Sequence, residues 1–236
     1  MIRAEGISKW YGRFRALYDL SFSVEQGTIV SMIGANGAGK STLFDIITTL
    51  DSDFKGKMLV GGYDTRRQKS EIRKLTGYVP GTFSLYSDLT VMENVDFFAN
   101  AYGCGREALY KITPRIWNSL EPFAGYRASQ LSGGMRQKLS LCCAAVHSPS
   151  LLLLDEPTTG IDPLSRWELW QELLTLREQG ITIVMSTHYL DEAARADKVM
   201  LLDKGKLISY DTPKHLTEGE KSLEDVFIKF LESTDE

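Results

Sequence analysis

The sequence predicts an α/β fold in which a parallel sheet is covered by helices on both faces. Three observations carry this. The first sixty residues read as β-structure broken by turns, and from residue 133 onward helices alternate with short apolar strands. Between them, from about 90 to 131, apolar residues recur only at helical spacing. At 236 residues, 43% hydrophobic and 25% charged, the chain has room for one large domain of ordinary globular composition.

Segments 2–8 and 17–24 alternate as half-buried strands do, and 28–33 is a short buried run. Residues 34–39 are glycine-rich and 40–50 continue as a helix, with strand-like segments at 57–60 and 76–79. In the helical stretch Val91, Val95, Phe98 and Tyr102 share one stripe, as do Ile112, Ile116 and Leu120. A helix from Gly133, a strand at 151–154, a helix over 163–176 and a strand at 181–185 follow, then strands near 199–202 and 206–209. Asp162 is the expected cap of the helix that Pro163 begins, and Gly180 follows its end. A last helix, capped by Ser222, lines up Leu223, Val226, Phe227, Phe230 and Leu231 for packing on its own domain.

Several classes are disfavoured. With 27 basic against 31 acidic residues the net charge is −4, so no nucleic acid is expected as a partner. No run of 18 apolar residues offers a membrane span, and the first residues lack the apolar core of a secretory signal. Cys104, Cys142 and Cys143 give neither a disulfide framework nor metal-ligand spacing, and are expected as small buried hydrophobes.

Gly34, Ala35, Asn36, Gly37, Ala38, Gly39, Lys40, Ser41 and Thr42 fit the P-loop pattern, set between an apolar strand and a helix. Such a loop turns successive N–H groups toward a phosphate, and the helix start adds its positive dipole end. Lys40 is expected to reach the β- and γ-phosphates of ATP, and the Ser41 hydroxyl to ligate Mg²⁺. Four leucines at 151–154 then end in Asp155 and Glu156. Asp155 suits the metal, and Glu156 suits orienting or deprotonating the attacking water.

Leu131, Ser132, Gly133, Gly134 and Met135 open a helix shortly before that acidic strand. With the two segments above, they make the whole chain resemble the nucleotide-binding domain of an ATP-binding cassette (ABC) transporter. The resemblance implies a P-loop NTPase fold of the ABC ATPase type: a parallel-sheet core, an antiparallel β-subdomain and an inserted α-helical subdomain. It implies one domain over 1–236, with the helical subdomain at about 90–135 and a helical end at about 212–236. Ser132, Gly133 and Gly134 would grip the γ-phosphate held by a partner cassette, Asp162 would communicate across the dimer, and His188 would contact the γ-phosphate. Tyr11 would stack on adenine, with Trp10 as the competing candidate. Met135 stands where the motif usually has Gln. Gly81, after Gly77, Tyr78, Val79 and Pro80, also replaces a usual Gln, which raises the expectation of slow hydrolysis.

Segments 131–138, 160–166 and 222–227 resemble the drug- and polysaccharide-exporter branch, whose permease is a separate subunit. The function implied is that of an ATPase powering export through a membrane permease by ATP-driven pairing of two cassettes, as homodimer or heterodimer. The place implied is the cytoplasmic face of the membrane. The alternatives are a soluble non-transport cassette and a low-activity regulatory half of a heterodimer.

Overall fold

A computed structural model describes residues 1–220 and 222–234, with side chains described to residue 230. In chain order the elements are β1 (Ile2–Tyr11), β2 (Phe14–Val24), β3 (Ile29–Ile33), α1 (Lys40–Ile47), β4 (Lys55–Val60), β5 (Tyr63–Asp64), α2 (Lys69–Leu75) and β6 (Thr76–Val79). There follow α3 (Val91–Ala101), α4 (Leu109–Ile112), α5 (Pro114–Leu120), α6 (Gly133–Ala145), β7 (Leu151–Leu154) and α7 (Pro163–Glu178). The chain continues with β8 (Thr182–Ser186), α8 (Leu190–Ala193), β9 (Lys198–Asp203), β10 (Lys206–Asp211), α9 (Pro213–Leu216) and α10 (Leu223–Thr234). Among the described residues no helix is long and apolar enough to cross a membrane.

The chain forms two compact units, Met1–Arg73 with Val184–Glu236, and Lys74–Ile183. In the first, β2, β1, β4 and β5 form an antiparallel sheet. The strand order β10, β9, β3, β8 follows, with β3 parallel to β9 and β10 turned back on β9. Every residue of β3 and β8 is buried, as expected of strands covered on both faces. Leu223 and Val226 of α10 join Ile33, Ala193, Val199 and Leu201 in one core, with Phe227 and Phe230 packed against it. The last helix therefore packs on its own domain. Ser222 caps it by accepting from Asp225 N–H at 3.2 Å; Leu231 lies outside the described side chains.

In the second unit β6 runs parallel to β7, all four leucines of which are buried. Gly77 of β6 lies against α6 so closely that a β-carbon there would fall 2.2 Å from the Ala144 carbonyl oxygen. The stripe of Ile112, Ile116 and Leu120 is split: Thr113 leaves the helical region at φ −127°, ψ 51°, and Pro114 begins a new helix. A residue before proline is pushed out of the α region, which overrides the continuous apolar pattern. α3 starts with a capping box, in which Thr90 accepts from Glu93 N–H while Glu93 accepts from Thr90 N–H. Cys142 and Cys143 are buried thiols, and burial pushes Cys142 up to about 12.

Candidate functional site

In the first unit the loop after β3 closes around the head of Lys40. The residue is buried, and its Nζ donates to the Gly34 and Ala35 carbonyls at 2.6 and 3.2 Å. Gly39 caps α1 at φ 103°, a conformation closed to ordinary side chains, and a β-carbon there would strike the Leu17 side chain. The turn between β9 and β10 anchors the same loop: Gly205 N–H donates to Ala38 O, and Gly205 O accepts from Tyr18 N–H. Ala35, Asn36 and Gly37 are left exposed, ahead of the first turn of α1. A loop of main-chain N–H groups, a helix start and a fixed ammonium make an anion cradle that fits nucleotide phosphates. Ser41 is exposed on the first turn of α1, and Thr42 next to it is half-buried.

His188 belongs to this unit too. Thr187 N–H donates to Met32 O at 3.2 Å, which sets 187–188 beside the end of β3, where the phosphate loop begins. The Thr187 hydroxyl donates to Glu192 Oε2 and accepts from Tyr189 N–H, holding the turn; His188 itself is exposed. Tyr11 is 47% exposed at the end of β1, with Lys9 Nζ 4.8 Å from its ring centroid. Trp10 is half-buried, with Arg15 and Lys55 at 4.8 and 5.1 Å from its ring. Each ring thus has a cation beside it, and Tyr11 is the more exposed of the two, opposite Phe14, which is 65% exposed. Phe14 escaped the sequence reading; its place two residues before Ala16, whose carbonyl nears Gly39, could not be read from an alternating strand.

The second unit brings together two further groups. Asp155 follows β7, and its N–H donates to Val79 O at 2.8 Å, which places it beside Pro80 and Gly81. A β-carbon on Gly81 would lie 3.3 Å from Asp155 O and 3.8 Å from its Cγ. Glu156 takes φ 49°, a left-handed conformation unusual for a residue with a β-carbon, and its carbonyl accepts from Thr159 N–H at 3.2 Å. Asp155 and Glu156 are both half-buried.

Ser132 caps α6, accepting from Met135 N–H at 3.3 Å, and Ser132 and Gly133 are exposed. Asp162 caps α7 by accepting from Ser165 N–H at 2.9 Å and from its hydroxyl at 2.6 Å. Those two bonds, the hydroxyl's first, hold the Asp162 carboxyl below its ordinary range. The two helix starts meet at Gly134, where a β-carbon would fall 2.3 Å from Ser165 Oγ. Ser132, Gly133, Gly134 and Asp162 thus form one rigid corner.

The residues sort as the sequence motifs do. The model of the family described as ABC transporter matches residues 17–159. A probable multidrug ABC transporter ATP-binding protein, YbhF of Escherichia coli strain K12, is 35% identical over all of this chain, which spans 42% of that protein. The daunorubicin resistance ATP-binding protein DrrA2 of Streptomyces coeruleorubidus is 36% identical over 93% of this chain and 70% of its own length. Among solved structures, an ATP-binding subunit of an ABC transporter superposes with TM-score 0.88 at 29% identity, covering 97% of this chain and 98% of that one. The dimeric cassette MJ0796, in a post-hydrolysis state bound to ADP and Pi, superposes with TM-score 0.80 at 27% identity, over 90% and 98%. By its phosphate loop, its family match and these likenesses, the chain belongs to the ABC transporter family, as an ATP-binding cassette.

Proposed function

We propose that this cassette binds and hydrolyses Mg-ATP between two paired copies, or with a related partner, and so powers export through a separate permease at the cytoplasmic face of the membrane. The observation that carries the reading is the exposed start of α6. A 13-residue helix presents its first N–H groups to solvent at Ser132 and Gly133, fixed to Asp162 by the seat at Gly134. Such a terminus fits an anion brought by another molecule, namely the γ-phosphate held in the partner's loop.

Lys40 and His188 act on the γ-phosphate, Tyr11 stacks on adenine, and Glu156 orients the attacking water and takes its proton. The hydroxyl of Ser41 and the carboxylate of Asp155 are hard oxygen donors that fit Mg²⁺; the ion would neutralise charge on the β- and γ-oxygens. In this reading 1–236 is one cassette domain, with its helical subdomain at about 90–135 and its helical end at about 212–236. The likeness to a probable multidrug transporter protein and to a daunorubicin resistance protein favours drug export over import. The permease is expected against the loop before α3. There Tyr86 and Phe97 are about half exposed, in edge contact at 4.8 Å, and the buried Asn94 donates to Tyr86 O and Thr90 O and accepts from Tyr86 N–H.

Light scattering of the Glu156→Gln protein tests the pairing. The variant is expected to be monomeric in EDTA and dimeric in Mg-ATP, since the water step is blocked while nucleotide is retained. A protein that binds ATP yet stays monomeric would overturn the homodimeric reading.

A further inference from the structure

Away from the phosphate-binding residues, α5, α6 and α7 enclose an open groove of about 320 Å³. Ile116 of α5 and Trp167 of α7 supply apolar wall, and Trp167 is 55% exposed. The two cations on the groove differ. Lys138 of α6 is engaged by Glu168 of α7 at 2.5 Å. Arg115 of α5 is exposed and has no hydrogen-bond or ion-pair partner among the described residues.

The same helices bury unmet polar groups beside the groove. Glu172 lies one turn along α7 from Glu168, on the same face, and is fully buried with neither carboxyl oxygen hydrogen-bonded. Next to Ile116, the indole N–H of Trp117 is buried without an acceptor.

We propose that this groove docks a segment of a partner protein that lays an apolar side chain against Ile116 and Trp167 and sets a carboxylate on Arg115. Charge complementarity selects the acidic partner. Lys138 and Glu168 neutralise one another, and Glu172, which feels the Arg115 charge, is fully buried behind the rim, so the charge left open to a partner is the exposed guanidinium, which a basic segment would meet as a like charge. Exposed Trp and Arg are the residue types that most often dominate interface energies. The volume stands at the low end of ligand sites, roughly 300–1,000 Å³, which suits one large side chain rather than a cofactor. The proposal stands on the groove and does not depend on the proposed role in export.

The probe is an acetylated, amidated, alanine-rich peptide carrying Phe and, four residues on, Asp; its control carries Lys in place of Asp. The readout is the indole N–H signals of the four tryptophans in ¹H–¹⁵N spectra of the full chain, with Trp167 assigned through Trp167→Phe. The Asp peptide is expected to shift the Trp167 signal saturably and to bind about tenfold more tightly than the Lys peptide. Arg115→Ala is expected to erase that preference, and Arg115→Lys to keep part of it. Absence of a Trp167 shift with either peptide, equal binding of the two, or a preference unchanged in Arg115→Ala would each overturn the proposal.

Discussion

At position 81 the chain omits a side chain directly beside a carboxylate. Gly81 faces Asp155 across adjacent strand ends, with its missing β-carbon 3.3 Å from the Asp155 carbonyl. A glutamine amide built from that point would reach the surroundings of the Asp155 carboxylate. Gly81→Gln is therefore expected to raise the ATP turnover number at least several-fold while leaving the affinity for Mg-ATP nearly unchanged. An unchanged turnover number would show that position 81 does not limit the rate. At this scale the motifs were largely legible, because phosphate chemistry dictates both the residue types of 34–42 and their spacing. Trp10 and Tyr11 were not separable in sequence. Their exposure distinguishes them, since Trp10 is half-buried beneath Arg15 of β2 and Lys55 of β4 while Tyr11 stays 47% exposed beside Lys9. Glu172 was equally hidden, since a charged letter in an amphipathic helix reads as solvated until the neighbouring helices are in place.

Elements were legible where one force set their limits. The four leucines of β7 sit as expected because nothing but a covered strand suits such a run between turns. The α4–α5 break was missed because apolar periodicity continued across Thr113, while the backbone restriction before Pro114 acts on a single residue. α2 and α8, of 7 and 4 residues, are too short to show a period. The junction of α6 with α7 depends on Gly134 in the same local way. Gly134→Ala must push apart two helix starts, because the new β-carbon meets Ser165 Oγ at 2.3 Å and Ser165 Cβ at 2.8 Å. Urea unfolding is expected to show a loss of about 1–3 kcal/mol. In the Glu156→Gln background the Mg-ATP dimer should weaken while ATP binding to the monomer persists; a dimer of full strength would show that the corner need not be rigid.

For the whole molecule, the buried Glu172 and the half-buried His147 set opposed responses to pH. Burial pushes the Glu172 carboxyl up to about 7 from 4.5, against the pull of Arg115, and pushes the His147 imidazole, stacked on Tyr102, down to about 4 from 6.5. Between pH 4.5 and 7 the folded chain keeps a proton on Glu172 that the unfolded chain releases, so this group's contribution to stability falls as pH rises. Between pH 4 and 6.5 the unfolded chain binds a proton that His147 refuses, so that contribution rises with pH, and the two slopes offset one another over the shared range. Glu172→Gln is expected to be more stable than the parent by on the order of 3 kcal/mol at pH 8 and little different at pH 4.5, by urea unfolding at both. An equal difference at the two pH values would refute the assignment. Strand–helix alternation made the fold class legible, because layer packing follows from it. The grouping of Asp155 with Gly81, and of Ser132 with Asp162, was not legible without the family resemblance, since it is made by contacts between segments distant in sequence.

The close approach of Gly77 to Ala144 has a mechanical consequence. With no side chain between β6 and α6 at that point, the joint has no rotamers through which to yield. A load applied at 81–90, just beyond β6, is carried into α6 as tilt. Ala144 stands twelve residue steps along α6 from its cap Ser132, about 18 Å of stiff lever, so each degree of tilt displaces Ser132 by about 0.3 Å.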